Sequence, residues 1–199
     1  MAVSSVYAPL LAFVKAMQNL WLFTQDHFAA FIFPNTILGV SCALAGPPYV
    51  TSSPLSNSEI VFLVILFNWS TLLIFDLANQ RLWESVHEDK LNKPWCRAMQ
   101  ITIPVVLAFN HYCLSTGAET VCIIVRCWVY NNLKVSDDSW ILRNAIISLA
   151  FGVFNWSSPK VAIRGHGAYL PRVSESGSSW IWLCSGVILM TMHVQDMED

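Results

Sequence analysis

Apolar residues in this chain run in long blocks, and charged residues are gathered between them. Charge-free spans cover 27–58, 60–75, 98–118, 144–159 and 176–195. A charged group near a bilayer centre costs several kcal/mol, so such spans are where helices can cross. The pattern predicts six crossings, at about 28–46, 59–80, 99–117, 120–131, 140–156 and 178–196. Several of these are shorter than the about 17–25 residues that a crossing needs. The fourth also carries Arg126. A bundle lined by polar groups accommodates both features, because those groups can face a wet cavity instead of lipid.

The breaks between blocks support that count. Gly46-Pro47-Pro48 and the Ser/Pro stretch to Ser58 interrupt the chain after the first crossing, and residues 157–177 separate the fifth from the sixth. Residues 1–27 read as an N-terminal segment, with an interfacial amphipathic helix around Val6–Trp21 anchored by Trp21. No basic residues precede its apolar run, so it does not read as a signal peptide. With the N-terminus cytosolic, Lys15, Arg81, Lys90, Lys93, Arg97 and Lys134 fall on the cytosolic side, against Lys160, Arg164 and Arg172 opposite.

Composition sharpens the class. Of 199 residues, 55% are hydrophobic and only 12% charged. An ordinary soluble domain carries about 25% charged residues. The expected fold is therefore all-α, a polytopic transmembrane helix bundle in a lipid bilayer. A net charge of −2 supplies no basic patch, which argues against a nucleic-acid partner. Six scattered cysteines form no CxxC pair and read as small buried hydrophobes. The glycosylation patterns Asn68-Trp69-Ser70 and Asn155-Trp156-Ser157 lie in or beside crossings and are discounted. No Ser/His/Asp triad or glycine-rich phosphate loop is present in the sequence.

The chemistry is concentrated at the end of the second crossing. Of 11 basic and 13 acidic side chains, eight lie between Asp76 and Arg97. Asp76, Gln80, Glu84 and Glu88 recur every four residues and share one helix face, flanked by Asn79 and His87. Like charges at this spacing destabilise a helix. A divalent cation removes that penalty, and carboxylates with an amide are the hard oxygen ligands that Mg²⁺ takes, often bridging to substrate phosphates. The same acids also read as a solvated loop neutralised by Arg81, Lys90, Lys93 and Arg97. A second acidic group, Gln195, Asp196, Glu198 and Asp199, follows the last apolar block, with Asp196 and Asp199 on one face. It reads either as half of a metal motif at which the chain stops or as a solvated tail. Tyr130 and Lys134, four apart at the end of the fourth crossing, fall on the same side as both acidic groups and could direct a hydroxyl and an ammonium at one anion.

With these residues in place, the chain resembles the UbiA superfamily of intramembrane prenyltransferases, and within it the fungal branch containing membrane-bound class I terpene cyclases. Asn79-Gln80…Glu84…Glu88-Asp89 followed by Asn92-Lys93-Pro94-Trp95 is similar to the family's first aspartate-rich motif. Asp196 and Asp199 match the first half of the second, and Tyr130 with Lys134 match the family's intervening Tyr-x-x-x-Lys element. Trp21-Leu22-Phe23-Thr24-Gln25, Ser136-Asp137-Asp138-Ser139-Trp140 and Met192-His193-Val194-Gln195-Asp196 extend the likeness over nearly the whole chain. Three departures stand out. Gln80 and Glu84 replace the usual Asp. Cys96-Arg97-Ala98-Met99-Gln100 replaces an Arg-Pro and Gly-Arg step. Six helices stand where the family has nine, so residues 28–199 read as a partial UbiA-like domain.

The resemblance implies a Mg²⁺-dependent enzyme of terpenoid biosynthesis in the endoplasmic reticulum membrane. Its substrate class is an allylic prenyl diphosphate, farnesyl or geranylgeranyl, and terpene cyclisation stands slightly ahead of prenyl transfer to an acceptor. Asn79, Glu84, Glu88 and Asp89 are implied as one metal site and Asp196 with Asp199 as the other. Lys93, Arg97, Tyr130 and Lys134 are implied as diphosphate contacts. Trp69, Phe75, Phe109, Phe151 and Phe154 are candidates for an aromatic cavity wall, although the plainer reading of each is lipid-facing or packing surface. The competing expectations are a truncated, catalytically silent relative and, third, a small transporter or scaffold.

Overall fold

The computed structural model describes residues 27–46, 55–86, 93–132, 140–163 and 172–191, with Tyr49 and scattered positions from 10 to 25; side chains of 80–86, 93–100 and 132 lie outside that description. The described chain is helical, with no strand. Six helices follow one another: α1 Phe33–Ala45, α2 Asn57–Val86, α3 Lys93–Tyr112, α4 Gly117–Asn132, α5 Trp140–Ala162 and α6 Glu175–Thr191.

Local chemistry explains where these helices begin and end. A single π turn, Phe28–Ile32, leads into α1, and Pro34 sits in the first turn of that helix. Proline has no N–H to continue the i→i−4 ladder, so a break in regular winding is least costly at this point. Gly46 ends α1 at φ +60°, a conformation that a side chain would strain, and its N–H donates to the Cys42 carbonyl. A reciprocal cap opens α2: the Ser56 N–H donates to Glu59 Oε2 at 2.9 Å, and the Glu59 N–H donates to Ser56 Oγ at 3.4 Å. Between α3 and α4 the chain reverses within Cys113–Thr116. There the Thr116 N–H donates to the Asn110 carbonyl at 2.9 Å, and Asn110 Nδ2 donates to Thr120 Oγ1 at 3.0 Å.

Each expected crossing therefore contains a helix, with boundaries moved by local structure. The third helix starts at Lys93 and stops at Tyr112, ahead of the expected end at 117. The fifth continues past 156, through Pro159, to Ala162. The sixth is described to Thr191, so the rest of its expected range lies outside the described residues. Among the described residues, two stretches, Phe28–Ala45 and Asn57–Asn79, are long and apolar enough to cross a membrane. The C-terminal part of the 1–27 segment is tied to the bundle, since Trp69 Nε1 donates to the buried Thr24 hydroxyl at 2.9 Å.

The core combines close apolar packing with short polar bridges. Val64, Phe67, Leu114, Ile123, Phe154 and Val161 form its apolar centre. Across it, Asn68 Nδ2 donates to Thr36 Oγ1 at 3.1 Å, and the Ser158 hydroxyl donates to Asn68 Oδ1 at 2.9 Å. Three helices are thus joined through one buried asparagine. Gly39 lets α1 approach α5, because a Cβ there would lie 2.8 Å from the Ser158 Cβ. Small residues at a contact and hydrogen bonds between helices are how bundles associate where burial from water supplies little drive.

Candidate functional site

The α3–α4 reversal sets the site's geometry. Asn110 bonds both Ser70 of α2 and Thr120 of α4, which puts the start of α4 beside the middle of α2. From there both helices run toward the same end of the bundle. Between them, closed by the π turn and α5, is a cavity of ≈320 Å³. Its walls carry Phe31, Phe75, Phe151 and Phe154. Phe31 meets Phe154 edge-to-face at 4.3 Å between ring centroids, Phe151 at 5.1 Å, and lies near-parallel to Phe75 at 6.5 Å. Of the aromatic residues singled out in the sequence, Phe75, Phe151 and Phe154 stand on the cavity. Trp69 and Phe109 do not line it: Trp69 bonds Thr24, and Phe109 packs on the apolar core.

One end of this cavity is polar. His27 and Tyr130 line it, and His27 Nδ1 lies 2.8 Å from Oδ1 of Asp76, a carboxylate that is 2% exposed. Arg126 also lines the cavity and donates to the Leu149 carbonyl. Asn79 is one turn beyond Asp76 on α2, and its Oδ1 is buried with no hydrogen-bond partner among the described residues. The Nδ2 atoms of Asn131 and Asn144 are in the same condition. Each of these asparagines lies three or four residues from a cavity-lining residue of its own helix, Phe75, Cys127 and Ile147. A buried, unpaired polar atom costs about 1–3 kcal/mol. A carbonyl oxygen of this kind needs a donor or a cation, and an amide nitrogen needs an acceptor such as an anionic oxygen.

The sequence-derived residues fall into three groups. Asn79 and Tyr130 are described with their side chains, and both lie toward the polar end of the bundle. Glu84 lies in the last turns of α2, and Lys93 and Arg97 in the first turns of α3, with side chains outside the described set. Glu88, Asp89, Lys134, Asp196 and Asp199 lie outside the described residues. Among the described residues, no three His, Cys, Asp or Glu side chains gather as a metal site. Asn79 Oδ1 and the Asp76 carboxylate are nonetheless hard oxygen donors of the kind Mg²⁺ takes, so the described end of the acidic stripe fits the group in part.

Sequence reasoning missed Phe31, His27, Asn131 and Asn144, which become neighbours of the site only through folding. Arg126 carried a usable signal. An ionisable residue inside an apolar helix marks a functional site more often than a defect. No protein-family model, curated protein or solved structure matches the chain.

Proposed function

We propose that this protein is a multi-pass membrane enzyme of the UbiA-like type that ionises an allylic prenyl diphosphate with Mg²⁺, closing the resulting cation into a terpene skeleton in preference to transferring it to an acceptor. The observation that carries this reading is the aromatic cavity with a polar end. Its four phenylalanines suit an isoprenoid chain, and the unpartnered Asn79 oxygen beyond Asp76 suits a metal-bound head group. In this reading the bundle lies in the bilayer, the α3–α4 pair turns back at mid-depth, and the polar end faces the cytosol.

Asn79, Glu84, Glu88 and Asp89 hold one metal ion, and Asp196 with Asp199 hold the second. Bound Mg²⁺ supplies positive charge that stabilises the departing pyrophosphate. The chain's own groups do the rest. The Tyr130 hydroxyl and the Arg126 guanidinium donate to phosphate oxygens from the cavity wall, and Lys93, Arg97 and Lys134 add cationic contacts. The faces of Phe31, Phe75, Phe151 and Phe154 exclude water from the allylic cation and stabilise it through their ring quadrupoles.

Pyrophosphate release from farnesyl and geranylgeranyl diphosphate by the purified full chain tests the proposal. Release that needs Mg²⁺, stops on chelation and is lost in the Glu84→Ala/Glu88→Ala double variant supports it. Wild-type protein that releases no pyrophosphate from either substrate refutes it, as does release by the double variant at the wild-type rate.

A further inference from the structure

Arg126 also borders a second cavity, on the other side of α4. This space of ≈310 Å³ lies between α4, α5 and α6, at the small end of the range for ligand sites. Glu119, Cys122 and Arg126 line it from one face of α4, at spacings of three and four residues. Trp156 and Trp182 contribute indole walls from α5 and α6. Its polar atoms are only partly used. Ser185 is 4% exposed and its Oγ has no hydrogen-bond partner among the described residues, although its carbonyl accepts from Ser148 Oγ at 2.6 Å. Glu119 Oε1 is paired with Lys160 Nζ at 2.6 Å, but Oε2 is buried without a partner among the described residues.

These groups define the complement they lack. Glu119 Oε2 accepts only, so a ligand must bring a donor; Ser185 Oγ can donate or accept. A hydroxyl can meet either one. Lys160 already neutralises Glu119 and the Leu149 carbonyl holds Arg126, so what the cavity leaves unmet is hydrogen bonding, which a neutral ligand can supply. Gly152 keeps the α5 wall flat beside Ser185, because a Cβ there would lie 2.9 Å from Ser185 Oγ. A lining that includes two indoles and a glycine suits a rigid ring system better than a flexible chain, which loses more freedom on binding. We propose that the α4–α5–α6 cavity binds a neutral alicyclic alcohol. This site is separate from the aromatic cavity and does not depend on prenyl diphosphate chemistry.

The test is equilibrium dialysis of the full chain in lipid nanodiscs, with empty discs as background and decahydro-2-naphthol as the probe. Decalin and decahydro-2-naphthoate serve as the hydroxyl-free and anionic comparisons. The alcohol binds saturably, and decalin binds about tenfold more weakly or worse, as expected where a site is built to bond a hydroxyl. Ser185→Ala weakens alcohol binding about fivefold by removing one bond, and Gly152→Leu abolishes it by filling the cavity. The proposal is overturned by decalin binding as tightly as the alcohol, by tighter binding of the carboxylate, or by no saturable alcohol binding. Wild-type affinity in Ser185→Ala overturns it too, and that variant decides the matter if Gly152→Leu does not fold.

Discussion

Nδ1 of His27 sits 2.8 Å from Oδ1 of Asp76, joining residues 49 positions apart at the polar end of the aromatic cavity. The contact fastens the chain just before the π turn to α2 and gives a buried carboxylate a partner. His27 is itself more than half exposed, so solvent screens the pair on one side. His27→Ala is expected to cost about 1–2 kcal/mol through the lost hydrogen bond to a charged acceptor. Asp76→Asn should cost less, because the amide removes the buried charge and still offers His27 a hydrogen-bond partner. Thermal unfolding in detergent measures both, and an unchanged His27→Ala midpoint would show that the pair contributes nothing.

Gly39 and Ser158 set the separation of α1 and α5. A valine at 39 would place its Cβ 2.8 Å from the Ser158 Cβ and 2.9 Å from the Ser158 backbone carbon. Helix backbones cannot yield as a flexible side-chain tip does, so Gly39→Val is expected to destabilise the fold by about 1–3 kcal/mol or more. Gly186 has open space around a Cβ, so Gly186→Ala should leave the unfolding temperature unchanged or raise it. The contrast between the two variants is read by the same thermal measurement.

Asn79 offers a buried oxygen with no described partner. Under the proposed function it is a metal ligand, so Asn79→Leu should raise the Mg²⁺ concentration for half-maximal pyrophosphate release by about tenfold, the loss of roughly 1.4 kcal/mol of binding. Fold stability should hold or improve, since an unpaired buried polar atom is removed. An Mg²⁺ titration of activity, beside an unfolding curve, separates the two effects.

Phe151 lines the aromatic cavity 5.1 Å from the Phe31 ring. Phe151→Ala enlarges that space, and the preference between farnesyl and geranylgeranyl diphosphate should move toward the longer chain. The expected change in the ratio of kcat/KM is about 10-fold, the scale on which a hydrophobic pocket discriminates. Competition between the two substrates reports it directly, and an unchanged ratio would remove Phe151 from the chain-binding wall.

Lys160 and Glu119 make a 2.6 Å ion pair in which both side chains are mostly covered. Lys160→Met should be more damaging than the Lys160→Met/Glu119→Gln double variant. The single change strands a buried carboxylate, while the double change removes the charge. The difference between the two unfolding free energies is expected to be about 1–3 kcal/mol.

Periodicity and charge placement determined the helical content and the position of six helices. Charge-free blocks bounded by Gly46-Pro47, the Ser56/Glu59 cap and the 113–116 reversal carry their own start and stop signals. Those signals are local, so they can be read from a single chain. Asp76, Asn79 and Tyr130 could be singled out for the same reason, as polar residues at the ends of apolar blocks. The cavity could not be read. Phe31, Phe75, Phe151 and Phe154 meet because α2 and α4 run alongside each other after a reversal at mid-height, a relationship set by Asn110 bonding both Ser70 and Thr120. Likewise His27 became a partner of Asp76, and Arg126 a wall shared by two cavities, only through tertiary packing. Helix formation depends on neighbours within four residues, whereas a site depends on which faces of distant helices come together, and that was decided by the packed structure alone.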